Sequence, residues 1–177
     1  MKQNYDKSFS LVIGSEGGFQ NDPNDRGNWT TGVIGKGQNK GTKYGVSAMS
    51  YPRLDIKNLT LAQAKAIYKE DYWDACRCDE LPAGVDYLVF DIAVNHGVKD
   101  GATFLQRSVG ATPDGIIGPR TLAAVAARRP QAIAEELCVV RAFDYISLGS
   151  FSRFGRGWMR RLMHTLTAAD DMIEAAT

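Results

Sequence analysis

The chain has 177 residues, of which 44% are hydrophobic and 23% are charged, a composition that supports a folded core and excludes an intrinsically disordered chain. The formal net charge of +1 offers no field that would attract nucleic acid, and no apolar run reaches the roughly 18 residues of a membrane span. We therefore expect a single globular domain, with at most two lobes around a cleft.

The first predicted element is a helix from about residue 4 to residue 15. Its apolar residues recur at spacings of three and four, and Glu16 continues the same face. Gly17 and Gly18 offer the permissive backbone that ends a helix. Residues 17–59 then hold most of the early Gly, Asn and Pro, with short β-prone pieces at NWTTGVI and TKYGVS. This pattern predicts a small hairpin or an irregular lobe.

Predicted helices fill the rest of the chain. Thr60 and Gln63 form a capping box at the start of a helix that runs to about residue 75. Between Pro82 and Gly97, an apolar stripe predicts the clearest helix of the chain. GATFLQRSVG then predicts a shorter helix, and TPDGIIGP predicts a turn after it. Proline and glycine mark the starts and ends of these helices, at Pro82, Gly97, Pro119 and Pro130. The pattern predicts an α+β fold that is mainly α, with one glycine-rich lobe near the N-terminus of a helical body.

Two carboxylates in the stretch EGGFQNDPNDRGNWTTG, residues 16–32, have contrasting predicted environments. Glu16 lies at the C-terminal end of the first predicted helix, on its core-facing side, where burial and the helix dipole disfavour the ionised form. Asp25 lies nine residues later in a polar loop that favours the ionised form. A protonated acid and an ionised carboxylate are the pair that glycoside hydrolysis uses. NDPND is also a good turn sequence, so a purely structural interpretation stays open.

Metal and cofactor sites are not predicted. The three cysteines, Cys76, Cys78 and Cys138, are odd in number and lack the spacing of zinc ligands, so we expect free thiols made in a reducing compartment. His96 falls on an apolar stripe, which favours a core histidine over a ligand or a proton shuttle, and no ligand-type residue accompanies it at a suitable spacing. We therefore predict no metal and no cofactor.

The stretch at residues 16–32, followed by GTKYGVS, resembles the signature of glycoside hydrolase family 108, the N-acetylmuramidases. Three later motifs, FDIAVNHG, FLQRSVGATPDGIIGPRTL and RFGRGW, resemble the predicted peptidoglycan domain that accompanies that catalytic region. The resemblance implies a lysozyme-like fold and hydrolysis of the β-1,4 bond between N-acetylmuramic acid and N-acetylglucosamine. It also implies a catalytic region at residues 1–97 and a helical peptidoglycan-binding-like region at residues 98–177, packed as one domain.

The resemblance assigns expected catalytic roles. Glu16 stands where the family has its general acid, and the family's tyrosine after EGG is Phe19 here, so the phenol hydroxyl is lost. The spacing of Glu16, Asp25 and Thr31 is similar to the catalytic triad of phage-type lysozymes, in which the threonine helps to position a water. The insertion GVIGKGQNKG makes Thr42 a rival for that place. Asp25 is expected to stabilise the cationic transition state or to activate the water.

Four residues are candidates for substrate binding in a cleft between the lobe and the helical body: Trp29, Thr42, Tyr44 and Asn95. Trp29 and Tyr44 lie in the lobe, where their rings could stack on sugars or could pack the lobe's own small core. Asn95 lies at the border of an apolar stripe, where it could bind an N-acetyl group or could be a polar boundary residue. Trp73 and Trp158 lie within predicted helices and are expected to be structural.

The resemblance implies peptidoglycan glycan strands as the partner. We also expect a monomer, and the lack of a long apolar run predicts that it is not an integral membrane protein. The N-terminus shows no signal-peptide pattern, so we expect synthesis in the bacterial cytoplasm and action in the periplasm or cell wall after holin-type release. Two cellular roles stay open, a phage endolysin and a bacterial muramidase that opens the wall for protein secretion. Two other activities also stay open, a lytic transglycosylase that needs Glu16 but not Asp25, and a non-catalytic peptidoglycan-binding protein.

Overall fold

The computed structural model describes residues 4–14 and 18–177, and the chain divides into two compact units. Of the described residues, those between 9 and 69 form the loop-rich unit, and those between 4 and 8 together with 70–177 form the helical unit. Helices dominate, and two short strands pair into an antiparallel sheet. This confirms the predicted α+β, mainly α, lysozyme-like class. The predicted division at residue 97 stays a prediction.

The loop-rich unit contains the hairpin that the sequence predicted at TKYGVS. Strands β1 (Thr42–Lys43) and β2 (Val46–Ser47) pair with Thr42 opposite Ser47. The other β-prone piece, NWTTGVI, is not a strand: Trp29 alone forms a bridge, with Asn39, and a series of turns follows. Helix α1 is Tyr5–Ile13 and helix α2 is Leu61–Tyr68.

The later helices begin and end near the prolines and glycines that predicted their bounds. They are α3 (Val85–His96), α4 (Val98–Val109), α5 (Pro119–Ala126), α6 (Pro130–Ser147) and α7 (Phe151–Glu174). The predicted stop at Gly97 and the predicted starts at Pro119 and Pro130 are confirmed, as is the capping box of Thr60 and Gln63 at the start of α2.

The helix predicted to continue to residue 75 instead ends at Tyr68. It widens into a single π-helical segment, Lys69–Asp74, which places Trp73 in the core with no exposed surface. The Trp73 ring packs edge-to-face against Tyr5 and Phe90 at centroid distances of 5.2 and 5.5 Å. Its indole N–H donates to Asp79 at 3.0 Å, so the structural role predicted for Trp73 is confirmed.

A buried ion cluster joins three helices of the helical unit. Asp91 on α3 is 2% exposed and accepts hydrogen bonds from Arg141 on α6 at 2.5 Å and Arg161 on α7 at 2.9 Å. The side chain of Arg141 is 1% exposed, whereas that of Arg161 is 46% exposed. Removing the carboxylate would therefore leave one buried guanidinium without its counter-ion, which is costly.

Two further features of α3 affect stability. Gly84 precedes the helix with φ +80°, and a Cβ there would lie 2.5 Å from the carbonyl oxygen of Ala169 in α7, so the two backbones meet directly. Asp86 in the first turn is fully buried, and burial raises its pKa to about 6 although Asn4 and the Tyr87 N–H donate to it.

Within the described ranges, no helix combines the length and apolar composition that crossing a bilayer requires. Cys76, Cys78 and Cys138 are all buried free thiols, as predicted from their number and spacing. Burial raises the pKa of the Cys138 thiol to about 11, which disfavours the reactive thiolate.

Candidate active site

The loop-rich unit presents the Asp25 carboxylate at the surface in a fixed orientation. Asp25 precedes the short 3-10 helix Arg26–Asn28, and its Oδ1 accepts the N–H of Gly27 at 2.8 Å. Its Oδ2 accepts from the side-chain amide of Gln20 at 3.0 Å. A carboxylate has about four lone-pair positions, and two donors leave the others available. The exposed group can therefore accept hydrogen bonds from a water or a substrate while its orientation is held by the protein.

Asn28 is completely buried and is hydrogen-bonded to Gln20, the side chain that donates to Asp25. Its amide nitrogen donates to Gln20 Oε1 at 2.8 Å and to the carbonyl of Asp22 at 3.0 Å. Its Oδ1 accepts from Gln20 Nε2 at 3.1 Å and from the Thr42 hydroxyl at 2.7 Å. A buried amide with all these bonds formed is rigid, because any rotation would leave polar groups unpaired.

Thr42 reaches Asn28 because its strand pairs with the segment that carries Gln20. The N–H and carbonyl groups of Gln20 and Thr42 bond reciprocally at 2.9 and 2.8 Å. Gly41 permits this approach: its φ is +81°, and a Cβ would lie 2.5 Å from the Gln20 carbonyl oxygen. Asp25, Gln20, Asn28 and Thr42 thus form one hydrogen-bonded set, which we call the Asp25 network.

Thr31, the other candidate threonine, has a different environment. Its hydroxyl donates to the carbonyl of Lys36 at 2.8 Å and accepts the N–H of Val33 at 3.3 Å. These bonds close the turn that follows Thr31 and do not reach the Asp25 network. Of the two threonines, the structure brings Thr42 to Asp25's hydrogen-bond partners and leaves Thr31 in a separate turn.

The two predicted aromatic residues lie in the same unit in different settings. Trp29 is half-buried and donates its indole N–H to the carbonyl of Pro23 at 3.0 Å, which fixes the ring beside the turn that holds Asp25. Tyr44 lies at the tip of the β1–β2 hairpin with an unusual φ of +51°, and the Lys43 ammonium lies 5.4 Å from its ring centroid. Both rings keep part of their surface accessible to a sugar.

Asn95 belongs to the helical unit and is exposed at the end of α3. Its side-chain amide donates to the carbonyl of Asp91 one turn earlier at 2.6 Å, so its oxygen faces no partner within the helix itself. The neighbouring His96 contacts Phe104 and Tyr145, and burial, with the Arg141 charge, lowers its pKa. The low pKa favours a neutral imidazole in an aromatic cluster, in agreement with a structural role.

Glu16, the predicted general acid, lies outside the described residues, so its role stays a prediction from the sequence. Gln20 and Asn28 were not among the site residues predicted from the sequence. Both are neutral amides in a polar stretch, and nothing in a single sequence marks one amide there as buried. Thr42 joins them through the pairing of its strand with Gln20, which is 22 positions away along the chain.

Comparison with known families finds two adjacent matches. A model described as glycosyl hydrolase 108 matches residues 9–97, and a model described as a predicted peptidoglycan domain matches residues 100–163. The first match includes Asp25, Thr42 and the remainder of the Asp25 network. A comparison with curated protein sequences found no match.

Among solved structures, the chain is similar to the one titled "Structure of Brucella abortus SagA". The two share 32% sequence identity with a TM-score of 0.80. The alignment covers 98% of this chain and 97% of that chain. The similarity therefore extends over both matched regions.

Proposed function

We propose that this chain, which belongs to the glycosyl hydrolase 108 family, cleaves the β-1,4 bond between N-acetylmuramic acid and N-acetylglucosamine. Membership of that family makes it a glycoside hydrolase, and the peptidoglycan domain at residues 100–163 makes peptidoglycan its substrate. The observation that carries the proposed hydrolysis is the exposed, oriented Asp25 carboxylate in the region that matches the hydrolase family. The choice of this bond follows the resemblance of residues 16–32 to the N-acetylmuramidases.

In the proposed reaction, Glu16 donates a proton to the glycosidic oxygen as the bond from that oxygen to the sugar's anomeric carbon breaks. Positive charge develops on the sugar ring, and a negative carboxylate at Asp25 stabilises it. A water forms the new bond to the anomeric carbon and gives up one proton to a carboxylate. The two lone-pair positions that Gly27 and Gln20 leave available on Asp25 suit either contact.

We further propose that Thr42 is a positioning residue and that Thr31 is not. The Thr42 hydroxyl donates to Asn28, which shares the Gln20 amide with Asp25. A change at Thr42 is thereby transmitted to the carboxylate through three hydrogen bonds. The Thr31 hydroxyl contributes to its own turn only.

Trp29, Tyr44 and Asn95 are the proposed substrate-binding residues. The partly exposed rings of Trp29 and Tyr44 offer apolar faces for sugar rings, and the hydrogen bond from Trp29 to Pro23 holds its ring beside the Asp25 turn. Asn95 is exposed, with its amide nitrogen bonded to Asp91. This leaves its oxygen to accept the N–H of an N-acetyl group.

Mass spectrometry of the products released from purified peptidoglycan sacculi tests the proposed bond. Muropeptides that end in reducible N-acetylmuramic acid would support a muramidase. Anhydro-muramic ends would instead identify a lytic transglycosylase, and reducible N-acetylglucosamine ends a glucosaminidase. No release from walls of varied stem chemistry would favour a non-catalytic binding protein.

A pair of aspartate variants tests the proposed role of Asp25 in the same assay. Asp25→Asn should lower the release rate by about 10²-fold or more, the usual contribution of a positioned acid or base. Asp22→Asn is the matched control, because the exposed carboxylate of Asp22, three residues away, accepts from the backbone and side-chain amides of Asn24 in its own turn. Equal losses in both variants would contradict a specific role for Asp25.

We also propose a cellular setting. The protein is made in the bacterial cytoplasm and reaches the wall by holin-type release, either as a phage endolysin or as a muramidase that opens the wall for secretion. Expressing the protein in bacteria with and without a co-expressed holin, and measuring it in cell-wall fractions, tests this route. Unchanged delivery to the wall would contradict it.

A further inference from the structure

The loop-rich unit contains a cavity of about 370 Å³, a size within the range of small-ligand sites. Its lining residues come from three segments, 19–21, 39–40 and 53–57. The first segment also carries Gln20 of the Asp25 network. Successive side chains of an extended segment point to opposite faces, so Phe19 and Asn21 face the cavity while Gln20 faces Asn28. The cavity and the Asp25 network therefore lie on opposite sides of the segment 19–21.

Positive charge dominates the wall of this cavity. Lys40, Arg53 and Lys57 line it together with one carboxylate, Asp55, so three positive charges less one negative charge give +2. The whole chain carries only +1. Hydrogen bonds from Asn58, with smaller effects of Lys40 and Lys57, lower the pKa of Asp55, so this carboxylate is engaged by the protein's own groups. The excess of positive charge is thus a local feature that favours an anionic ligand.

The remaining wall is apolar and amide in character. Phe19 is 37% exposed, whereas Ile56 is fully buried and forms a closed apolar surface. Asn39 donates its amide to the carbonyl of Asn21 at 3.0 Å, and its Oδ1 accepts no hydrogen bond within the described part of the chain. The exposed side chains of Arg53 and Lys57 can reach an entering ligand. A ligand that matches this wall is a short chain with three kinds of group. Its carboxylates would meet the cations, its small aliphatic groups would meet the apolar surface, and an amide N–H would meet the Asn39 oxygen.

We infer that this cavity, the stem pocket, binds the carboxylate-bearing peptide stem of the peptidoglycan strand whose glycan lies at the Asp25 network. The inference rests on the proposed function. Five extended residues span up to about 17 Å, so a stem is a long and flexible ligand compared with a single side chain. Phe19 and Asn21 of the pocket are the chain neighbours of Gln20, whose side chain donates to Asp25.

Two substrates that differ only in their stems test the inference. Release rates are measured on glycan strands with intact stems and on the same strands after an amidase has removed the stems. The double variant Arg53→Gln, Lys57→Gln should lose about ten-fold in kcat/KM on intact strands, from two lost ion pairs, and should match wild type on stripped strands. Lys36→Gln is the control, because Lys36 is an exposed cation of the same unit outside the pocket. Equal loss on both substrates, or no loss on intact strands, would overturn the inference.

A binding measurement separates this inference from the proposed function. The probe is the free stem tripeptide L-alanyl-D-glutamyl-diaminopimelate, titrated by NMR or calorimetry into the full chain, with its carboxamide derivative alongside. We expect the tripeptide to bind wild type and Lys36→Gln equally well. The tripeptide should bind the double variant about ten-fold more weakly, and the carboxamide derivative should bind wild type about ten-fold more weakly. If wild type cleaves neither substrate, the proposed function fails while this titration still decides on the pocket. No difference between the variants in the titration would overturn the stem pocket itself.

Discussion

Replacing Thr42 with valine tests whether the Asp25 network supports catalysis. Valine has nearly the same shape as threonine but lacks the hydroxyl that donates to Asn28 Oδ1 at 2.7 Å. A hydrogen bond of this kind contributes about 0.5–1.5 kcal/mol to stability. Asn28 Oδ1 keeps the Gln20 amide as a donor at 3.1 Å, so no buried acceptor is left entirely unpaired. We therefore expect Thr42→Val to lower the free energy of unfolding by about 1 kcal/mol.

The same loss should be visible in the reaction rate. If the network holds the Asp25 carboxylate for the transition state, losing about 1 kcal/mol of that positioning lowers kcat about five-fold. Thr31→Val removes a hydroxyl that bonds only within its own turn, so its kcat should change less than about two-fold. Thr42→Ser keeps the donor hydroxyl and should stay close to wild type.

Initial rates of dye release from labelled sacculi, together with chemical denaturation of each variant, separate the two effects. The expected order of kcat is Thr42→Ser, then Thr31→Val, then Thr42→Val, with each protein folded at the assay temperature. The reasoning would be refuted if Thr42→Val kept the wild-type rate despite its lower stability. A larger loss of rate in Thr31→Val than in Thr42→Val would equally refute it and would return the positioning role to Thr31.

Three further predictions concern the stability of the helical unit. Gly84→Ala should lower the unfolding free energy by about 2 kcal/mol or more, since its Cβ would meet a carbonyl of α7. Gly157→Ala, in open space on α7, should instead raise the unfolding free energy by up to about 1 kcal/mol. Equal denaturation midpoints for the two variants would contradict this. Asp91→Asn should lower the unfolding free energy by about 3–5 kcal/mol in the same assay, because the buried Arg141 loses its counter-ion. Arg161→Gln should lower it by less than about 1 kcal/mol, because the Arg161 side chain is partly exposed. A larger loss in Arg161→Gln than in Asp91→Asn would contradict this. The pKa of Asp86 is about 6 in the fold against an ordinary 3.8, so the folded state binds this proton more tightly. Wild type should therefore gain about 2 kcal/mol relative to Asp86→Asn as the pH falls from 7 to 4, and a difference that is constant with pH would contradict the burial argument.

Helix ends were predictable because local residues set them. Gly97 ends α3 with φ +101°, and Pro119 and Pro130 occupy first turns, where a missing N–H costs nothing. The end of α2 was not predictable in this way. The apolar stripe continues past Tyr68, but tertiary packing of Trp73 favours a π-helical turn there. Hydrophobic residues at a period of 3.6 predict an α-helix and do not indicate where a π-helical turn replaces it.

The candidate site was only partly predictable for a similar reason. Asp25 could be recognised as a carboxylate in a polar, glycine-flanked loop, and the structure places it at the surface. Its connection to Thr42 runs through Gln20 and Asn28 and depends on one β-bridge, so no periodicity or spacing along the chain indicates it. The piece NWTTGVI has strand-like composition, but hydrogen bonds within the turn that includes Thr31 use its backbone instead.

The account depends most directly on Glu16 as the general acid. Release of muropeptides from sacculi should be compared for wild type, Glu16→Gln and Glu135→Gln, an exposed glutamate of α6 that serves as the control. Co-sedimentation with sacculi measures binding in parallel. We predict that Glu16→Gln loses about 10²-fold or more in rate, keeps wild-type binding, and differs sharply from Glu135→Gln. Wild-type release by Glu16→Gln would contradict the account.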